Sequence, residues 1–345
     1  MGTIKLFLYR IKRSIRLFFI NNSLEEKNIF HKKLFQLNEK FHDGYFSQNE
    51  KYQYRDCVCC NNSENLQFVF KSPAKFDFLQ CPNCEMVIMN PIPSQSILDK
   101  MYNSEEMIDN LHGSHISGGV IPKQLEDLNF IKKHIISGSL LDIGSGAGGF
   151  LLNANKYFKS QGLEINKNHY KVALEAGLNV HNLYSSKFFP KNKFEIVTLL
   201  QVIEHLENPK DVIKDAHRLL DDQGYLYIAC PNFNSASMKI FREKHRHVAT
   251  FGHINMYSLE NLAIQIEQEG FKLIEMETYE LDIELHDLFY YYLFKNRFSH
   301  RMSNYNPFTY QLFTSVFSIV RSFYHKKVIE NNQGSYIRAI FKKKS

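Results

Sequence analysis

The stretch that decides the fold reads LLDIGSGAGGF and runs from Leu140 to Phe150. Its apolar start has the length of a buried strand, its middle is a glycine-rich turn, and its end begins a helical pattern. Glycines permit tight turns and let a ligand approach the main chain closely. The stretch therefore predicts a nucleotide-binding turn between a strand and a helix.

Two carboxylates accompany this turn. Asp142 precedes the first glycine, and Glu164 stands at the end of the next apolar run, Gln161–Ile165. An acid at the second position can accept hydrogen bonds from both ribose hydroxyls of a nucleoside. An acid at the first position can face an amino group of the same ligand. The pair predicts a nucleoside-binding site built on two adjoining strands.

The pattern of strand, turn and helix continues along the chain. Apolar runs of strand length alternate with helix-length segments, and further strand candidates follow at Phe271–Tyr279 and Tyr336–Phe341. The alternating runs cover residues 140–143, 161–165, 195–200 and 225–229. This alternation predicts an α/β fold with a parallel sheet covered by helices.

Four cysteines stand in two C-x-x-C pairs before this region: Cys57, Cys60, Cys81 and Cys84. Their spacing is typical of a tetrahedral zinc site, and four thiolate ligands leave no position for water, so the zinc is expected to be structural. Cys59 could replace Cys57 or Cys60 as a ligand. The alternative is a small core that holds four reduced cysteines without metal.

The glycine turn, together with the step Glu204-His205-Leu206 after a later strand, resembles the class I methyltransferases that use S-adenosylmethionine (SAM). The acid before the first glycine favours a SAM-dependent methyltransferase over the alternative interpretation, an NAD dehydrogenase. The resemblance implies that Gly144 and Gly146 line the methionine part and that Glu164 holds the ribose. The full predicted cofactor set is Asp142, Gly144, Ser145, Gly146, Glu164, Ile165 and Gln201.

The resemblance extends beyond the cofactor motifs. The cysteine pairs, then Pro91, Pro93 and Tyr102, and later Gly252–Ser258 are similar to bacterial methyltransferases of surface-polysaccharide and deoxysugar synthesis. It implies a sugar or glycan-precursor acceptor, nucleotide- or lipid-linked, methylated on oxygen or carbon. Either reaction needs a base. The predicted catalytic residues are His205, Glu204, His253 and Tyr257.

Three other functions stay open at this point: methylation of RNA, methylation of a quinone-like lipid, and a non-catalytic assembly role that only binds SAM. RNA recognition needs basic and aromatic residues beside the cofactor. Lysines and arginines instead concentrate before residue 20 and after Asp287, at the two ends of the chain. We therefore expect no nucleic-acid partner.

The predicted organisation is a Rossmann-like, doubly wound methyltransferase sheet with a small zinc-ribbon-like module before it and a helical insertion before the last strand. Its parts are a helical extension (1–50), the zinc module (51–95), a linker and helix (96–137), the SAM-binding core (138–280), an aromatic insertion (281–333) and a final strand with a basic tail (334–345).

The cysteine usage and the lack of a long uncharged apolar run predict a cytoplasmic protein. The spacing of apolar and basic residues predicts a cationic amphipathic helix over residues 4–19, and residues 281–333 are aromatic and basic. Residues 4–19 either dock on the protein body or contact the inner membrane surface, since the helical spacing is the same for both. Residues 281–333 either pack on the sheet as a helical hairpin, cap the active site, form a dimer contact or lie on the membrane.

Overall fold

The computed structural model describes residues 52–73, 75–94, 97, 122–249, 252–280 and 326–344. The predictions for residues 1–50, for 98–121 of the linker and for 281–325 of the insertion lie outside the described residues. Within the described ranges, no helix has the length and apolar character needed to cross a membrane.

Thirteen strands are described: β1 Tyr52–Gln53, β2 Gln67–Lys71, β3 Asp77–Gln80, β4 Val87–Met89, β5 Ile92–Pro93, β6 Gly138–Ile143, β7 Phe158–Leu163, β8 Val180–His181, β9 Phe194–Leu200, β10 Leu220–Pro231, β11 Asn255–Met256, β12 Phe271–Tyr279 and β13 Tyr336–Lys343. The described α-helices are α1 Pro122–Ile131, α2 Gly149–Ala154, α3 Lys167–Glu175, α4 Pro209–Leu219, α5 Ala236–Phe241, α6 Arg246–Ala249 and α7 Leu259–Gln268. Short 3-10 helices cover Ser185–Lys187, Ile203–His205 and Arg242–Lys244.

The main sheet has seven strands in the order β12-β13-β10-β9-β6-β7-β8. The strands from β10 to β8 pair in parallel, and β13 is antiparallel to both of its neighbours. The chain leaves β6 toward one edge and returns to build the other half from β9. The carboxyl ends of β6 and β9 therefore flank the crevice in which doubly wound sheets bind ligands. The predicted parallel α/β sheet is confirmed.

Both faces of this sheet are buried, because alternate residues of each strand point to opposite sides. Leu140 of β6 and Ile196 of β9 belong to one apolar core, while Leu141 and Val197 belong to the core on the opposite face. A strand buried on both faces reads as a continuous apolar run. This explains why the sequence located these strands correctly.

The cysteine module forms a second sheet with the order β11-β4-β3-β2. Its edge strand β11 comes from the far end of the chain and pairs antiparallel with β4, with Asn255 opposite Ile88 and Met256 opposite Val87. The module therefore completes its sheet with a strand that follows β10 of the main sheet. The two parts of the molecule share backbone hydrogen bonds as well as side-chain packing.

Arg55 fastens this junction. Its guanidinium donates to three carbonyl oxygens, those of Met89 (3.2 Å), Glu207 (3.2 Å) and Ile254 (2.7 Å). These carbonyls belong to the module, to the segment after β9 and to the residue before β11. Burial lowers the pKa of Arg55 to about 10, so the side chain stays charged at neutral pH. One planar group thus ties three segments that are distant in sequence.

We predict that Arg55→Ala lowers the free energy of unfolding by about 2–4 kcal/mol, because hydrogen bonds from a charged donor are lost and buried carbonyls keep no partner. The stability of Arg55→Lys should lie between that of Arg55→Ala and that of the wild type, since an ammonium cannot reproduce the planar guanidinium fork. Denaturant unfolding measures both. Lys171→Ala, exposed on α3, serves as control and should shift stability by less than about 0.5 kcal/mol. Equal stabilities of Arg55→Ala and wild type would contradict the fastening role.

Candidate active site

The glycine turn after β6 adopts the conformation that its sequence requires. Gly144, Gly146 and Gly148 have φ angles of 78°, 55° and 85°, in the left-handed region that other residues rarely adopt. A Cβ atom on Gly144 would lie 2.5 Å from the side chain of Val202, whereas one on Gly146 would meet nothing within 4 Å. The turn is therefore packed tightly against the end of β9 on one side and open beside Gly146.

Glu164 borders this open space from the end of β7. Its buried carboxylate accepts the backbone N–H of Gly146 through Oε2 and that of Asn166 through Oε1, each at 2.7 Å. Burial raises the pKa of Glu164, and these backbone hydrogen bonds oppose the rise. The neighbouring Ile165 is 37% exposed. The two predicted cofactor residues thus lie where a nucleoside would rest on the turn.

Asp142 lies beneath the turn rather than on its open side. It is buried, and Thr198 on β9 donates its hydroxyl to the carboxylate at 2.6 Å. Burial raises the pKa of Asp142 to about 7. The predicted contact of Asp142 with a ligand amino group stays a prediction.

Two buried polar atoms near the turn have no hydrogen-bond partner among the described residues, Ser145 Oγ and Gln201 Nε2. Gln201 follows β9 directly and has a φ of 58°, unusual for a residue other than glycine. Its backbone N–H donates to Ala229 O at 2.8 Å, which holds this conformation. Orphaned polar atoms beside an open glycine fit a polar ligand that supplies the missing partners. The donor set is compatible with a bound nucleoside cofactor.

The 3-10 helix Ile203–His205 follows at the same end of β9. The segment around β11 holds this turn: Ile254 donates its backbone N–H to Glu204 O at 2.9 Å, and the Asn255 side chain donates to Ile203 O at 3.2 Å. Asn255 also donates to Leu206 O at 2.8 Å. The carbonyls of Ile203, Glu204 and Leu206 are therefore fixed by donors from the segment that leads into β11.

This turn carries two of the predicted catalytic residues, and the loop before β11 brings a third. Glu204 is 1% exposed, and neither carboxylate oxygen has a hydrogen-bond partner in the described part of the chain. Its Oε1 lies 3.9 Å from His205 Nε2, and burial raises the pKa of Glu204 to about 8. The His205 and His253 rings meet edge to face, with centroids 4.7 Å apart.

Both histidines donate Nδ1–H to backbone carbonyls. His205 donates to Gly252 O and His253 donates to His247 O, each at 2.9 Å. Burial, followed by the nearby His253, lowers the pKa of His205 to about 3, so this ring is neutral at neutral pH. With its proton on Nδ1, the neutral His205 ring carries its lone pair on Nε2. The structure therefore gathers Glu204, His205 and His253 into one cluster.

Tyr257 was expected to contact the substrate, and the structure corrects this expectation. The side chain is fully buried, and its hydroxyl donates to Gln265 Oε1 at 2.7 Å. Gln265 in turn donates to Val58 O in the cysteine module at 2.6 Å. A phenol enclosed in this chain of hydrogen bonds cannot reach an acceptor molecule. Tyr257 instead joins α7 to the module.

The four cysteines predicted to bind zinc converge in the module. The Sγ atoms of Cys57 and Cys84 lie 3.4 Å apart, those of Cys60 and Cys81 lie 3.5 Å apart, and all four lie within 4.8 Å of one another. Sulfur ligands of a tetrahedral zinc ion are roughly 3.8 Å apart, given a bond length of about 2.3 Å. The cluster therefore fits zinc without rearrangement of the backbone.

Cys59 stands apart from this cluster, because its thiol is directed at Asn261 O at 3.6 Å and packs against α7. The alternative in which Cys59 replaces a ligand is therefore not the arrangement that the structure adopts. Sequence reasoning missed Arg55 and Asn255. A single arginine or asparagine in a polar stretch carries no periodic signal, so only the tertiary structure reveals their partners.

The strand order, the open glycine turn and the carboxylate at the end of β7 define a nucleoside-binding α/β protein. Residues 120–276 match the family model described as a methyltransferase domain. This domain contains the glycine turn, Glu164 and the Glu204–His253 cluster. Over these residues the chain carries a methyltransferase domain, and it is a methyltransferase enzyme.

Individual relatives are distant. An uncharacterized protein of Methanocaldococcus jannaschii is 28% identical over 150 residues, which cover 43% of this chain and 72% of that protein. A SAM-dependent methyltransferase from Archaeoglobus fulgidus is 19% identical, with a TM-score of 0.46 over 68% of this chain and 98% of its own. The plantazolicin methyltransferase BpumL in complex with SAH is 13% identical, with a TM-score of 0.44 over 72% and 94%.

We predict that Glu164→Gln weakens SAM binding by about 10- to 100-fold, because the neutral amide loses the charge and one acceptor that two ribose hydroxyls would share. Isothermal titration calorimetry with SAM measures the change. Glu175→Gln, exposed on α3, is the matched control and should bind like the wild type. Unchanged affinity in Glu164→Gln would place the ribose elsewhere.

Proposed function

We propose that this methyltransferase transfers the methyl group of SAM to a sugar or glycan-precursor acceptor in surface-polysaccharide synthesis. The observation that carries the proposal is the polar cluster of Glu204, His205 and His253, which begins three residues beyond Gln201 at the cofactor end of β9. Carboxylate and imidazole groups suit an acceptor that presents hydroxyls, whereas an apolar ring system would leave them without partners.

The described residues fit SAM as the cofactor. Glu164 would accept the ribose hydroxyls, the main chain at Gly144 and Gly146 would contact the methionine part, and Gln201 Nε2 would gain a partner. Bound SAM supplies a methyl group already activated by its sulfonium. The protein's contribution is therefore alignment of the acceptor and removal of its proton.

We assign binding of the acceptor to the cluster of Glu204, His205 and His253. An acceptor hydroxyl hydrogen-bonds to Glu204 and to the Nε2 atoms of His205 and His253. These groups orient the hydroxyl oxygen, and one of them accepts its proton. This polar environment favours a glycan acceptor over the quinone-like lipid. Methylation of RNA gains no support from the described residues of the cluster, where Glu204 and the imidazoles of His205 and His253 stand in place of a basic face.

We also propose that Cys57, Cys60, Cys81 and Cys84 bind a structural zinc ion. The ion would close the loop that contains β2 and β3, and so would hold β4 in place for its pairing with β11. Because β11 also fixes the backbone of Glu204, zinc would act on the reaction only through the position of that turn.

The acceptor class is tested by incubating the protein with SAM and separate panels of nucleotide sugars, quinones and RNA, followed by mass spectrometry. We expect a methylated product in the sugar panel and its loss in His205→Ala, a variant that should still bind SAM. His217→Gln, at a half-buried position on α4, would check for general effects of losing an imidazole. Methyl transfer to RNA or a quinone, with no sugar product, would contradict the proposed acceptor.

We predict that Cys81→Ser loses one equivalent of zinc and unfolds at a lower denaturant concentration, since structural zinc contributes directly to folding. Elemental analysis and denaturant unfolding measure both effects. Cys59→Ser is the matched control from the same module and should keep its zinc. A zinc-free Cys81→Ser variant with wild-type stability would rule out the structural role.

A further inference from the structure

A buried carboxylate without a hydrogen-bond partner is costly, and the described structure holds one at Glu204. Burial of an ionised group is tolerated where the charge is paired, hydrogen-bonded or bound to a metal. Both oxygens of Glu204 lack such a partner among the described residues. One ligand atom from each of Glu204, His205 and His253 lies within 4.8 Å of the others. The carboxylate therefore faces two imidazoles, while Lys123 acts on it electrostatically without a hydrogen bond to either oxygen.

The orientation of the two rings gives a second, independent observation. Metal-binding histidines usually donate the proton of the second ring nitrogen to a carbonyl or carboxylate, which fixes the tautomer and the ring plane. His205 does so with Gly252 O and His253 does so with His247 O. Both rings are thus held in the tautomer that carries its proton on Nδ1, so Nε2 is the atom through which each ring would coordinate a metal ion.

We propose that Glu204, His205 and His253 bind a divalent transition-metal ion beside the cofactor crevice. Two imidazoles and one carboxylate suit zinc, manganese or ferrous iron, whereas magnesium and calcium prefer oxygen ligands. Three protein ligands leave at least one coordination position open, which is the arrangement of catalytic metal sites. Metal–ligand bonds of about 2.0–2.2 Å would draw the three ligand atoms closer together than they stand now.

The surrounding backbone can support such a site. The carbonyl of Glu204 is fixed by the Ile254 N–H, and Asn255 holds the carbonyl of Ile203. Behind His253, the His247 ring lies with Nε2 at 3.2 Å from the Tyr336 hydroxyl. Ligands on backbone segments that are held by hydrogen bonds can keep their geometry when the ion is exchanged.

The metal would define how the acceptor reacts, an extension that rests on the proposed function. An acceptor hydroxyl that occupies the open position becomes more acidic and loses its proton to solvent. The oxygen then forms a bond to the SAM methyl carbon while the carbon–sulfur bond breaks, and the electron pair stays on sulfur. The products are a methyl ether, S-adenosylhomocysteine and a proton. In this scheme the ion replaces the histidine Nε2 atoms as the group that releases the acceptor proton, because His205 and His253 act as its ligands.

The two metal sites of the chain can be separated by their chemistry. Four thiolates select zinc, whereas imidazole and carboxylate ligands accept manganese. The full-length protein is treated with a mild chelator until one equivalent of zinc remains in the cysteine cluster. It is then titrated with Mn²⁺ alone, without SAM or acceptor, and free Mn²⁺ is followed by electron paramagnetic resonance.

We expect one Mn²⁺ to bind the wild type and the affinity to fall at least 10-fold in Glu204→Gln and in His253→Asn. Glu207→Gln, from the same segment, and His217→Gln, on α4, are matched controls that should bind like the wild type. Circular dichroism and the retained zinc equivalent check that each variant is folded. Absence of Mn²⁺ binding to the wild type, or wild-type affinity in both triad variants, would overturn the inference.

The outcome is separable from that of the proposed function. Binding of Mn²⁺ without methylation of any sugar would refute the acceptor class and leave the metal site standing. Methylation of a sugar by protein that binds no metal at the triad would refute the metal site and leave the acceptor class standing.

Discussion

Backbone hydrogen bonding of the β11 segment is the constraint on which the rest of the structure depends. On one side, β11 pairs with β4 of the cysteine module. On the other side, the N–H of Ile254 binds the carbonyl of Glu204. The Arg55 guanidinium covers the junction by binding the Ile254 carbonyl as well. The module and the catalytic turn are therefore two sides of one hydrogen-bonded layer, and displacement of either side would break bonds to the other.

This arrangement explains how unfavourable local features persist at the crevice. Gln201 holds a left-handed φ, and Glu204 keeps a carboxylate in a buried position without a described partner. Features of this kind cost free energy and survive only where the surroundings determine them strongly. Here the Gln201 N–H is bonded to β10, and the next turn is clamped by β11. The stability of the surrounding sheets thus supports the geometry of the site.

The sequence predicted the long strands and the cofactor turn because both leave local signals. Strands buried on two faces give continuous apolar runs, and the turn needs glycine where φ is positive. The two-residue strands β1, β5, β8 and β11 leave no period that a sequence pattern could reveal. The pairing of β11 with β4 joins residues that are far apart in the chain, so it is a tertiary feature.

The same limit applies to the site residues. The three residues of the Glu204 cluster were nominated by their chemistry, and only the fold shows that the loop before β11 brings His253 to the turn. Tyr257 was predicted to be catalytic in the same stretch of sequence as His253, yet its hydroxyl is buried in a hydrogen bond with Gln265. His253 and Tyr257 are four residues apart, so alternation along an extended segment would place them on the same side. Sequence proximity alone therefore could not separate the residue that reaches the crevice from the one that packs beneath it.

On the proposed assignments, the two metal sites differ in function because the protein fills a different number of coordination positions at each ion. Four cysteines occupy every position of a tetrahedral ion, so that ion can only hold the module together. The triad fills three positions, so its ion keeps room for an acceptor oxygen. β11 lies between the two clusters and bonds to both neighbours. Closure of the first site would therefore fix the ligand geometry of the second, although neither ion contacts the ligands of the other.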